Sequence, residues 1–153
     1  MEEQKRFVLL LLTLVIIILA SCALLHTVMK ISGSSMEPNF PDGSGLVITD
    51  IDPNDIKRGD IILYQLPQLP DNEYINRVVG LPSEIVEIDN GQILIDRELR
   101  SEPYPTFPPN YSGEWVIEEN QLFVLGDNRP NSFDSHLSGP IMFEYVVGIA
   151  KLD

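Results

Sequence analysis

The side chains best suited to chemistry begin with Ser35, in the segment G-S-S-M-E-P from Gly33 to Pro38. A serine hydroxyl becomes a nucleophile when a base takes its proton. Gly-Ser-Ser alone is ordinary turn composition; its position gives it meaning. It follows a run from Phe7 to Met29 that is apolar except for Thr13, Ser21, Cys22, His26 and Thr27 and carries no formal charge. A hydroxyl held just past a membrane-length segment suits the cutting of a peptide bond beside a bilayer. Three further segments with polar side chains stand downstream: K-R-G-D-I-I, Y-I-N-R-V-V-G-L-P and G-D-N-R-P-N-S-F-D-S.

The elements that must position these residues are an anchor and a β domain. As a helix rising about 1.5 Å per residue, residues 7–29 are long enough to cross a hydrocarbon core of about 30 Å. They exceed the apolar core of a cleavable secretory signal. Lys5 and Arg6 before the run, against Lys30 after it, favour a cytoplasmic N-terminus and an exported domain. The expected division is a cytoplasmic tail at 1–6, a single-pass span at 7–29 and an extracytoplasmic domain at 31–153, in a cell membrane, bacterial by default. Glu2 and Glu3 argue against an organellar transit peptide. Leu19-Ala20-Ser21-Cys22 is also similar to a lipid-attachment box, so Cys22 is either a lipidation site or a small residue inside the span. As the only cysteine, it forms no intrachain disulfide.

The net charge of −13 over 153 residues disfavours nucleic acid, whose binding rests on Lys and Arg neutralising phosphates. No metal-type Cys/His spacing and no nucleotide-type glycine loop is present, so no cofactor is expected. Past the anchor the pattern is one of short strands: 46–48, 60–66, 74–81, 85–88, 92–95, 115–117, 121–125 and 141–149. Asp89-Asn90-Gly91 between two of them is a hairpin signal. No segment there sustains a helical period. The expectation is an all-β domain, as a small curled barrel or two packed antiparallel sheets. Ser101 to Gly113, with four prolines, is expected to run as an extended surface loop. Its Tyr104, Phe107 and Tyr111 either touch a substrate or pin the loop to the core. Arg58-Gly59-Asp60 reads as a turn before a strand.

G-S-S-M-E-P, K-R-G-D-I-I, Y-I-N-R-V-V-G-L-P and G-D-N-R-P-N-S-F-D-S follow one another after an N-terminal anchor. In that order and spacing, over residues 31–150, the chain resembles the type I signal peptidases, membrane-bound serine peptidases that release exported proteins from their signal sequences. The resemblance implies Ser35 as the nucleophile, with its own backbone N–H as an oxyanion donor. It implies a lipid-facing place for Met36, a base-orienting role for Ser132 and a supporting ion pair for Asp134. Asp127, Asn128 and Arg129 match the segment that shapes the site, and Arg77, Gly80 and Pro82 the strand and turn around the base. Gly33 stands where some members carry a second oxyanion donor, a serine. The implied partners are the signal peptides of pre-proteins and the lipid bilayer.

The chain departs from the family pattern at Asn76, where the family's general-base lysine belongs. An amide accepts a hydrogen bond but holds no proton near neutral pH, and general-base catalysis is worth about 10²–10⁴. His136, at the position of an arginine that pairs with the aspartate, is the alternative base, with Asp134 behind it. Ser83-Glu84 replaces the usual Gly-Asp. Two functions stay open: a signal-peptide endopeptidase, or a pseudo-peptidase that binds signal peptides or assists an active paralogue.

Overall fold

The structure, a computed structural model, describes residues 4–6, 13 and 27–152. Among them lie eleven strands: β1 (Thr27–Lys30), β2 (Gly45–Thr49), β3 (Ile61–Leu66), β4 (Leu69–Gly80), β5 (Ile85–Asp89), β6 (Gln92–Ile95), β7 (Glu98–Leu99), β8 (Gly113–Val116), β9 (Gln121–Leu125), β10 (Ile141–Met142) and β11 (Val146–Leu152). Seven form one sheet, in the order β1-β2-β11-β3-β4-β9-β10, and four form a second, β7-β6-β5-β8. All these pairings are antiparallel. Among the described residues both sheets end in free edges, so the expectation of two sheets holds and that of a closed barrel does not. The short strands β1 and β10 sit at opposite ends of the larger sheet and do not meet.

Side-chain alternation sorts the core. In β9, Leu122 and Val124 face one cluster, with Ile62, Tyr64, Val78 and Ile141. Phe123 and Leu125 face another, with Val79, Val86, Ile88, Ile93, Ile95 and Ile117. The second cluster joins the two sheets. A fully buried side chain of this kind stabilises by about 1.5–3 kcal/mol. The sheets approach so closely at Gly80 that a Cβ there would lie 2.3 Å from Ile117 Cδ1 and 2.5 Å from Val86 Cγ2. The third cluster gathers Ile31, Met36, Phe40, Leu46, Ile61 and Ala150. Strand β3, with hydrophobic groups on both faces, is buried on both. Asn90 and Gly91, at φ +48° and +77°, make the tight β5–β6 turn, a conformation that favours Asn-Gly.

Three expectations need revision. Within the expected span, residues 7–12 and 14–26 lie outside the described residues, and with them Cys22 and His26. Residues 27–29 are not helical; they belong to β1, where Val28 pairs with Val47 and Met29 with Leu46. Their β-branched Thr-Val start suits a strand edge. Among the described residues no helix is long and apolar enough to cross a membrane. The strand expected at 141–149 is broken by a 3-10 turn at Phe143–Tyr145, where Phe143 N–H donates to Asn120 O. Its two pieces serve different neighbours: β10 pairs with β9, and β11 with β2 and β3. A four-residue helix, Ser135–Ser138, begins at Asp134; one turn is too short to show a period in the sequence.

Candidate active site

Ser35 sits in the loop between β1 and β2. Ile31 N–H donates to Ser44 O at 3.0 Å and Gly43 N–H to Ile31 O at 2.9 Å, which ties the two ends of the loop. Ile31, Met36 and Phe40 anchor its middle in the third core cluster. Met36 is fully buried, which corrects the expectation that it meets lipid. A thioether fills an irregular core gap well, and here it fixes the loop just past Ser35.

A second loop, after β9, grips the first. Asn128 N–H donates to Ser35 O at 2.9 Å, Asn128 Nδ2 to Ser34 O at 3.1 Å, and Asn131 Nδ2 to Ser34 Oγ at 2.9 Å. The neighbouring serines are thus distinguished. The Ser34 hydroxyl is tied to Asn131, while Ser35 lines a cleft of about 450 Å³. The cleft runs between Met29–Ser32 and Ser35 on one side and Asp71–Asn76 of β4 on the other, with Phe133 completing the lining. Among the described residues no hydrogen bond uses the Ser35 N–H.

Asn76, on β4 and only 1% exposed, has both ends of its amide engaged. Its Nδ2 donates to Ser132 Oγ at 3.3 Å, and its Oδ1 accepts from the Tyr64 hydroxyl at 2.8 Å. Register explains the second contact. Ile62 of β3 stands opposite Asn76, and Tyr64 opposite Tyr74, so Tyr64 and Asn76 share one face. Burial, with Asp134 and Tyr74 nearby, pushes the Tyr64 phenol well above its ordinary pKa; it stays a neutral donor. Gly126 brings β9 close to both serines. A Cβ there would lie 2.2 Å from Ser132 Oγ and 2.6 Å from Ser35 O.

Asp134, fully buried, accepts the Gly126 N–H at 2.9 Å through Oδ2. Its Oδ1 accepts the His136 N–H at 3.1 Å and lies 2.6 Å from His136 Nδ1. The imidazole stacks on Tyr111, ring centres 3.9 Å apart. His136 does not line the Ser35 cleft. The structure therefore brings Ser35, Asn76 and Ser132 together and places His136 behind Asp134.

A buried ion pair supports the same loop. Arg77 Nε and Nη2 donate to the two oxygens of Asp127, at 2.8 and 2.6 Å. Asn39 Nδ2 donates to the same carboxylate at 2.7 Å, and the Arg77 guanidinium lies 3.8 Å over the Tyr104 ring. Burial opposes the Arg77 charge, but the bonds and charge of Asp127 outweigh it and hold the pKa above its usual value. Tyr104 and Tyr111 pin the proline-rich loop from inside, and Phe107 N–H donates to Asp127 O at 3.0 Å. Burial pushes both phenols above their ordinary pKa, aided by Glu102 at Tyr104 and by Asp134 at Tyr111. Ser83 takes φ +66°, a conformation that suits glycine, and Glu84 accepts Leu81 N–H at 2.7 Å and pairs with Arg58. Arg58 also donates to Val79 O, so Arg58-Gly59-Asp60 is a turn with its arginine tied inward.

Sequence reasoning passed over Tyr64, Asn39, Asn131 and Lys30. Tyr64 left a signal: a tyrosine in an aliphatic strand needs a partner for its hydroxyl. Lys30, read as an anchor flank, lies exposed on the cleft wall. Two other cavities, of about 220 and 370 Å³, lie beside β6 and Glu102, away from Ser35. Among the described residues no three His, Cys, Asp or Glu side chains gather as metal ligands would.

Known proteins resemble this chain in sequence and in fold. The sequence profile of the family described as "Signal peptidase, peptidase S26" matches residues 4–153. The chain is 35% identical over 131 residues to a signal peptidase I of Leptolyngbya laminosa, covering 78% of this chain and 64% of that one. It is 30% identical over 137 residues to signal peptidase I V of Bacillus subtilis, covering 78% and 80%. The chain thus spans just under two thirds of the Leptolyngbya relative. The crystal structure of a signal peptidase I from Enterococcus faecalis superimposes with a TM-score of 0.55 at 25% identity, covering 66% of this chain and 98% of that one. With that profile matching nearly end to end, this chain belongs to the signal peptidase, peptidase S26, family.

Proposed function

We propose that this protein binds the signal peptides of exported pre-proteins in the Ser35 cleft and cuts them slowly, with Ser35 as the nucleophile. It works from the outer side of a cell membrane, held by the apolar segment before β1. The observation that carries this reading is the cleft itself, where Ser35 from one loop and Asn76 from β4 line one space. Strand edges flank it, and an extended peptide lies well along such edges through main-chain hydrogen bonds.

The chemistry then follows from the residues at hand. Ser35 Oγ attacks the scissile carbonyl carbon, and its proton leaves to solvent. The Ser35 N–H faces the oxyanion, an interaction worth about 10²–10³ in rate. The C–N bond breaks, the amine departs with a proton, and water hydrolyses the Ser35 ester to release the signal peptide. Asn76 supplies no base, so both halves of the reaction run without the factor of about 10²–10⁴ that a base contributes. Asp134 and Ser132 act as positioning residues, through Gly126 and Asn76.

Asn76 also favours a second reading, in which the chain captures signal peptides and turns none over. One experiment separates the two. Full-length protein in detergent micelles is mixed with a pre-protein, beside Ser35→Ala and Lys30→Ala. Slow release of mature product by the wild type, lost only in Ser35→Ala, supports the peptidase. Binding without product in all three supports capture alone. Product from Ser35→Ala at the wild-type rate contradicts both.

A further inference from the structure

We infer that Tyr64 is a positioning residue that turns the side chain at position 76 away from Ser35. The inference rests on reading the Ser35 cleft as the reactive one. The Tyr64 hydroxyl donates to Asn76 Oδ1 at 2.8 Å and so holds the amide's acceptor oxygen on the core side, leaving its second lone pair without a donor among the described residues. Asn76 Nδ2 is then directed to Ser132 Oγ at 3.3 Å. Position 76 thus shows the site an N–H donor and keeps its acceptor for the core. Ser35 meets no base at this position.

Tyr64 is rigidly held for this task. It is fully buried, and it stacks on Tyr74 at 5.5 Å between ring centres, with Tyr74 in turn 5.4 Å from Phe133 on the cleft lining. Its phenol cannot swing out, and as a neutral hydroxyl it both donates and accepts. The same group would engage a lysine placed at 76. Donating to the neutral amine, it would occupy the lone pair that must take the Ser35 proton. Accepting from the ammonium, it would stabilise the form that cannot act as base. Asn76 and Tyr64 therefore form a matched pair, and replacing Asn76 alone restores only part of what the site lacks.

The test uses full-length protein in detergent micelles and two readouts. The first is proton exchange of the Asn76 side-chain amide, by NMR, in wild type and Tyr64→Phe. Without the bond that fixes Oδ1 the amide turns more freely off Ser132, and its exchange is expected to speed by about three- to tenfold. The second is pre-protein cleavage by Asn76→Lys and by Asn76→Lys/Tyr64→Phe, at a temperature where both remain folded by circular dichroism. The double variant is expected to cleave about three- to tenfold faster than the single one and with a pH–rate profile shifted from it. Unchanged exchange in Tyr64→Phe overturns the inference, as does cleavage by both lysine variants at the same measurable rate. If exchange responds and neither lysine variant cleaves, the role of Tyr64 stands and the Ser35 reading falls.

Discussion

His136 Nδ1 lies 2.6 Å from Asp134 Oδ1, and this contact turns the imidazole into the frame of the loop. Asp134 spends its other oxygen on the Gly126 N–H, at the point where β9 passes both Ser132 and the Ser35 carbonyl. One buried carboxylate thus connects the histidine to the site without bringing the ring into it. A serine–histidine pair would need the ring nitrogen within hydrogen-bond reach of the hydroxyl, and here the ring is stacked on Tyr111 instead.

His136→Ala is therefore expected to act on stability. It leaves Asp134 Oδ1 with the backbone N–H of residue 136 alone and should cost about 1–3 kcal/mol, read from urea unfolding. Measured below the melting temperature, its cleavage rate should fall far less than that of Ser35→Ala. Equal losses in the two variants would make His136 the base.

Gly126→Ala places a methyl 2.2 Å from Ser132 Oγ and 2.6 Å from Ser35 O. Backbone and a short side chain cannot retreat as the tip of a long one can. The expected cost is about 1–3 kcal/mol of stability, with loss of cleavage and weaker peptide binding in the fraction that remains folded. A Gly80→Ala control, tight at the sheet contact, should lose stability but keep its binding affinity once folded.

Asp127→Ala strands the Arg77 guanidinium, only 7% exposed, without its carboxylate. Removing one partner of a buried pair typically costs about 3–5 kcal/mol. Asn39 loses an acceptor in the same change, so the Ser35 loop should loosen with it. The checks are the denaturant midpoint and faster amide exchange across residues 31–44.

Alkaline pH should destabilise the protein through its buried phenols. Tyr64, Tyr104 and Tyr111 all have folded-state pKa values raised, chiefly by burial. Unfolded tyrosine ionises near pH 10. Above that pH the unfolded chain has released protons that the folded one retains, so the stabilisation, complete below about pH 10, is lost as pH rises. The urea midpoint should fall as the pH rises above about 10, and less steeply in Tyr64→Phe.

Much of this architecture can be read from residue patterns, for identifiable reasons. The strands at 46–48, 85–88, 92–95 and 121–125 emerge because local apolar runs and Asn-Gly chemistry decide them. Residues 141–149 mislead because they are mostly apolar, with Glu144 the one charged residue. The break at Phe143 depends on Asn120 O from a distant loop, which no local pattern contains. The same holds at Met36, whose burial is set by Phe40, Leu46 and Ile61 together. Thr27 to Met29 continue an apolar run and read as helix, yet pairing with β2 claims them. In the site, Ser35, Asn76, Ser132 and Asp134 stand in short motifs. Tyr64 and Asn39 do not, because their roles exist only across strands and loops.

Single-turnover cleavage of a pre-protein by excess full-length enzyme tests the central claim most directly, with wild type and Ser35→Ala run in parallel. The account predicts slow, complete conversion to mature product by the wild type, with a transient signal-peptide ester mapped by mass to Ser35. It predicts no conversion by Ser35→Ala. Equal conversion by the two proteins, or an ester on any other residue, would contradict it.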